Sequence, residues 1–162
     1  MAYEILLTVL DRGFSFFPAL ILRRFYTQQR LDKQVLIDTR TTNPIEFSLG
    51  SSIPTVHAWF TVANFTNLVW RIRDFSAEIW VGQPIATVRC EDKPTIPRKK
   101  ITSVFAKCFL NELQVNRLNE FRKRQTEGYV DNIRVSINAQ FESKLGLVQF
   151  KPTLENRPIS IR

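Results

Sequence analysis

The sequence has few of the residues from which active sites and secreted scaffolds are usually built. It holds one histidine, two cysteines and one methionine in 162 residues. With no CxxC pair and only His57 as a further ligand, Cys90 and Cys108 make neither a zinc site nor a disulfide framework, and a reducing compartment is the weak implication. No Walker loop, GxGxxG, HExxH or G-x-S-x-G is found, so the chemistries served by those spacings are not expected, and neither is a cofactor or a metal. Long apolar runs are missing too. Ile5 to Leu10 and Phe14 to Leu22 are separated by Asp11, Arg12 and Gly13. A charge at mid-membrane costs roughly 2.5 to 3.5 kcal/mol, so the chain start is not expected to span a bilayer. Glu4 in place of basic residues, with no small-x-small site after the apolar run, argues against a cleaved leader.

Aromatic and apolar surface, by contrast, is plentiful. Thirteen Phe, three Trp and an apolar fraction of 44% are enough to offset the entropy of ordering one domain plus an appendage. The net charge of +8 is uneven, because residues 96–124 alone carry +6, from eight basic and two acidic side chains. An anionic partner would meet that segment.

Residues 1–33 read as a helical arm. Tyr3, Leu6, Leu10, Phe14, Phe17, Ile21 and Phe25 recur at three or four residues, and Ile5, Val9, Phe16, Leu20 and Leu22 widen the stripe beyond what a globular helix buries. Such an arm either lies in a membrane surface, with Arg23 and Arg24 snorkelling to lipid phosphates, or docks on a protein partner, or folds back on its own domain.

From Gln34 the period changes to two. Val35 and Ile37 open a strand, and Val56, Ala58, Phe60 and Val62 alternate inward in another. Leu68, Trp70 and Ile72 share one parity while Phe75, Ala77, Ile79 and Val81 share the other, which predicts a bulge at Arg73 and Asp74. Gly82-Gln83-Pro84 turns into Ile85 to Arg89. Pairing Asp92 with Ile101 would put Cys90 opposite Ser103, offset from Cys108, so two free thiols are expected. The strand Ile101 to Leu110 is apolar on both parities and is expected to be covered on both sides. Asn111 caps a helix from Glu112 to about Gln125 with Leu113, Leu118 and Phe121 buried, ended by Gly128. Ile133 to Phe141 alternates as a half-exposed strand, Leu145-Gly146 turns into a last strand, and the tail after Pro152 is expected to be loose. The fold class is therefore mainly β: an immunoglobulin- or fibronectin-like antiparallel sandwich of about seven strands over residues 34–162, with one short amphipathic helix after the fifth.

Several features carry a resemblance: the Asn-rich turn Ala63-Asn64-Phe65-Thr66-Asn67, the long bulged strand, the Gly turn, Ile96-Pro97 before an apolar strand, then a short helix and two strands. In that order they resemble the late embryogenesis abundant group 2 domain, also described as the water stress and hypersensitive response domain, over about Gln34 to Ile159. The resemblance implies a non-catalytic sandwich, often with an N-terminal hydrophobic anchor, and carries over no site residues.

The remaining candidates are weighed residue by residue. His57 faces away from the core parity with no Ser, Cys or carboxylate at a useful spacing, so a surface histidine is expected. Asp74 and Glu78 lie about 13 Å apart along a strand, and with Glu91 and Asp92 they read as solvated charge. Asn64-Phe65-Thr66 is a glycosylation triplet of the kind that arises by chance. Arg98, Lys99 and Lys100 form one basic group and Arg117, Arg122, Lys123 and Arg124 a second; a ten-residue strand of about 33 Å separates them, so they belong to opposite poles rather than one nucleic-acid groove. Strict alternation of strands puts the first group at the pole of the arm. The expected function is a non-enzymatic binding or structural module, peripheral to a membrane or part of a large intracellular assembly. Its partner is an anionic membrane surface or a protein met through the arm. An oligomer is compatible with this reading, and a nucleic-acid partner ranks behind.

Overall fold

The computed structural model describes residues 19–126 and 133–162. Expectations for Leu6, Leu10, Phe14 and Phe17, for the helical start of the arm and for Gly128 as a helix stop lie outside the described residues.

The strands follow from their alternation. β1 (Val35–Thr39) and β2 (Ile45–Ser48) both pair with one side of β3 (Thr55–Asn64), and β7 (Lys100–Phe109) pairs with its other side along the full length. β4 (Trp70–Val81) lies between β5 (Gln83–Arg89) and β8 (Ile133–Ser143), with the two-residue β6 (Thr95–Ile96) at its start and β9 (Gly146–Phe150) on β8. β5 and β7 are joined only at Arg89–Lys107, so one hydrogen-bonded path folds into two layers. Between the layers Val56, Ala58, Phe60 and Val62 meet Phe75, Ala77, Ile79 and Val81, all buried, with the Phe60 and Phe75 rings 5.0 Å apart. The fold is a mainly β, open sandwich.

The bulge falls where the parity flip predicts it. Ile72 pairs with Phe141 and Asp74 with Gln140, leaving Arg73 as the extra residue, and Arg73 then reaches the carboxylate of Glu142 on β8. Both halves of β4 thereby turn their apolar side chains to one core. Gly82 occupies the one-residue turn between Val81 and Gln83 at φ 66, a conformation costly for a side chain with a Cβ.

Several expectations are corrected. Among the described residues eleven strands are present instead of about seven. The additional ones are β2, β6, and two in the tail, β10 (Thr153–Glu155) on β8 and β11 (Ser160–Ile161) on β2, the last in parallel. The tail is therefore clasped, by backbone pairing along open edges and by Leu154, Ile159 and Ile161 against the core, too few and too scattered among polar residues to signal strands. The arm is not one helix: α1 (Ala19–Phe25) and α2 (Gln28–Gln34) are separated at Tyr26 and Thr27. β5 and β7 meet in a register three residues from the expected one, although both cysteines are free as expected. In α3 (Glu112–Thr126) Leu118 and Phe121 are buried but Leu113 is exposed. α3 starts with a reciprocal cap, in which the Gln114 amide donates to Asn111 Oδ1 and the Asn111 amide donates to Gln114 Oε1. β7 is also not covered on both sides by the described residues: Ile101 is 69% and Phe109 68% exposed.

Candidate functional site

Two ends of the sandwich and one face gather the candidate residues. At the first end, Lys100 pairs with Asn64 and Asn64 with Val35, so the Arg98 to Lys100 turn stands where β1 leaves α2. Ile96 pairs with Trp70, and the next residue of β4, Arg71, pairs with Glu142, which carries the same pole across to the β8–β9 turn. There Arg23 donates from Nε and Nη2 to the Leu145 carbonyl at 3.2 and 3.1 Å. α1 and the first basic group thus share a pole. Within α1 the stripe divides: Leu22 is fully buried in the core, whereas Ile21 and Phe25 are exposed beside Arg24. Arg23, expected at lipid phosphate, is engaged by the domain's own backbone.

A buried polar network holds the basic turn. Asn64, 1% exposed, donates from Nδ2 to the carbonyls of Leu68 and Pro97, both at 2.8 Å. Its Oδ1 accepts from the Thr66 amide at 3.0 Å and hydroxyl at 2.7 Å, and Thr66 Oγ1 accepts from Trp70 Nε1 at 3.1 Å. The glycosylation triplet is thus structural, with its asparagine turned into the protein. Pro97 fixed in this way sets the entry to the turn, where Lys99 sits at φ 51 and Lys99 and Lys100 are exposed. The sequence marked Asn64 as a turn residue and part of a glycosylation triplet; its buried role depends on a carbonyl 33 positions away.

The second basic group is at the other end, because α3 leaves β7 opposite Thr55 and the chain re-enters β8 opposite Val81. Arg117 donates to the Pro84 carbonyl at 3.5 Å, and Gln114 to that of Ile85 at 2.8 Å, fastening the helix to β5. Arg122 and Lys123 are exposed. The two basic groups do not form one groove.

The outer face of β3 and β7 carries an aromatic cluster. Ring centroids are 5.9 Å apart for His57–Trp59, 5.5 Å for His57–Phe105 and 5.4 Å for Trp59–Phe105, and the Arg40 guanidinium lies 3.8 Å from the Trp59 ring centroid. His57 is half-buried among these rings, not a solitary surface residue. On the open side of the sandwich a cleft of about 560 Å³ separates β1 from β9, with Asp32 and Lys151 its charged lining residues. Burial pushes the Cys108 thiol above its ordinary value; burial, then the Asp92 carboxylate, does the same to Cys90. Both thiols are held protonated and poorly nucleophilic. Among the described residues no cluster of three or more His, Cys, Asp or Glu is arranged to hold a metal ion, and no helix is long and apolar enough to cross a membrane.

No protein-family model and no curated protein matches the chain. Solved structures do. The structural-genomics target SoR45 is 12% identical with a TM-score of 0.48, covering 77% of this chain and 87% of its own. A protein from Archaeoglobus fulgidus is 14% identical at TM-score 0.41, covering 77% and 95%. AT1g01470 from Arabidopsis thaliana is 11% identical at TM-score 0.44, covering 78% and 79%. At these values the likenesses bear on neither function nor site.

Proposed function

We propose that the protein is a non-enzymatic structural or binding module of the late embryogenesis abundant group 2 kind, held at an anionic membrane surface by its N-terminal arm. The observation that carries the reading is the division of α1. Leu22 belongs to the sandwich core while Ile21 and Phe25 are left in solvent at the same end as Arg24, Lys99 and Lys100. An apolar edge bordered by cations suits a surface of acyl chains beneath anionic headgroups, where burial and electrostatic attraction act together. Residues 1–18, with Leu6, Leu10, Phe14 and Phe17, extend the apolar edge in sequence. Docking of the arm on a protein within a larger assembly is the second reading, favoured by the exposed Ile101 and Phe109 of β7.

The test is vesicle co-flotation of the full chain and of the Ile21→Asp plus Phe25→Asp variant, in neutral and in anionic lipid. Anionic lipid is expected to bind the wild type, and the variant, folded by circular dichroism, to lose at least tenfold in partitioning. Equal flotation of both would refute the role given to α1.

A further inference from the structure

The outward residues of the β1/β2–β3–β7 layer form a register that is complementary to itself. Leu36, Ala63 and Ile101 lie in one row across the three columns; Asp38, Thr61 and Ser103 in the next; Glu46, His57 and Lys107 in another. Between these, Arg40 and Trp59 stand beside Phe105. Rotation by 180° about an axis along β3 exchanges the outer columns and keeps each row. Ile101 then meets Leu36 of a second copy, Ser103 meets a carboxylate at Asp38, the Phe105 ring meets the Arg40 guanidinium, and Lys107 meets Glu46. Trp59 meets itself on the axis. Like charges do not face each other in any of these rows.

We infer that this face is a dimer interface, taking a second copy of the chain across a two-fold axis along β3. Face-to-face packing of sheets at about 10 Å is an ordinary arrangement, and an isologous contact needs only one self-complementary patch. The charges already on the face permit it. Lys107 rests on Glu91 at 3.0 Å with both side chains well exposed, so that pair contributes little and can be exchanged for a partner across the axis; Glu46, 18% exposed, lies 3.6 Å from Arg162, and Asp38 keeps Arg157 at 2.9 Å. A footprint of about 33 by 14 Å, from strand length and spacing, is small for a permanent dimer and fits a weak, reversible one. A bilayer is a poorer occupant, because Asp38 and Glu46 would be carried against headgroups. The inference does not depend on the arm.

The experiment is sedimentation velocity of the full chain in neutral detergent over a dilution series reaching hundreds of micromolar. Wild type is expected to show a concentration-dependent monomer–dimer equilibrium, weakened at least tenfold by Phe105→Asp. Lys107→Glu and Glu46→Lys are each expected to be monomeric alone, since each puts like charges together in both halves of the interface. Mixed in equal amounts they should form a heterodimer near wild-type affinity, because both halves regain opposite charges. The charge variants keep the test valid even if Phe105→Asp fails to fold. A wild type monomeric throughout, a dimer indifferent to these substitutions, or charge variants that do not rescue one another would overturn the inference, as would capture of this face by a membrane or another protein in place of a second copy.

Discussion

Replacing Asn64 by Ala removes one side chain from a network that is buried everywhere but at the Pro97 carbonyl. Four hydrogen bonds end on its amide: two donated to Leu68 and Pro97 carbonyls and two accepted from Thr66. After the change the Thr66 hydroxyl can still serve the Leu68 carbonyl, to which it already lies at 3.4 Å. The buried Thr66 amide loses its partner, while the Pro97 carbonyl, on an exposed residue, can turn to water. At about 1 to 3 kcal/mol for a buried group left unsatisfied, the expected loss is about 1 to 3 kcal/mol. For a domain of this size that lowers the melting temperature by about 2 to 12 °C. Asn64→Asp sharpens the test, because its shape is kept but both donors are replaced by acceptors facing two carbonyls. It should cost at least as much at neutral pH, and the gap to wild type should narrow on acidification, where a protonated carboxyl regains one donor. Equilibrium unfolding in guanidinium chloride reads both. A loss under about 1 kcal/mol for Asn64→Ala, or an Asn64→Asp variant as stable as wild type at neutral pH, would refute the account of this network.

Further outcomes follow from the core and the thiols. Trp70→Ala removes a fully buried ring whose indole donates to Thr66 and should cost about 3 to 5 kcal/mol, read by the same denaturation. A chain beginning at Ala19 should unfold cooperatively with near wild-type stability, whereas one beginning at Asp32 loses the buried Leu22 and Leu31 and should be weaker by at least about 2 to 5 kcal/mol. Because the folded state raises both thiol pKa values, the stability linked to the neutral thiols is complete below the unfolded thiol pKa and is lost as pH rises through the folded values. Iodoacetamide at neutral pH should accordingly alkylate native Cys90 and Cys108 several-fold more slowly than the unfolded chain, as followed by mass spectrometry.

Alternation made much of the sandwich legible. The inward parity of β3, the clean alternation of β8 and the parity flip that locates the Arg73 bulge are all side-chain patterns, and they report which face is buried. What backbone pairing alone decides was not legible. β10 and β11 are short and their outward residues polar; Leu154 and Ile161 do pack against the core, but one apolar residue in each segment shows no alternation that would distinguish a clasped edge from a loose tail. β7 illustrates a third case: apolar residues on both parities announce two apolar faces, but not whether the second is covered by the same chain. Only the register, which sets Phe105 beside Trp59 and Ile101 in line with Leu36, makes its outward face interpretable. For α1, a continuous apolar stripe masked a division between Leu22, which belongs to the core, and Ile21 and Phe25, which do not.

Anchoring by the arm is tested most directly by vesicle flotation of the full chain against residues 19–162, in anionic and neutral lipid at low and high salt. The account predicts that the full chain floats with anionic vesicles and retains part of its binding at high salt, where apolar insertion persists and electrostatic attraction is screened, while residues 19–162, which keep Ile21 and Phe25 but lack the rest of the apolar stripe, stay folded and partition more weakly. Equal behaviour of the two chains, or binding abolished by salt alone, would contradict it.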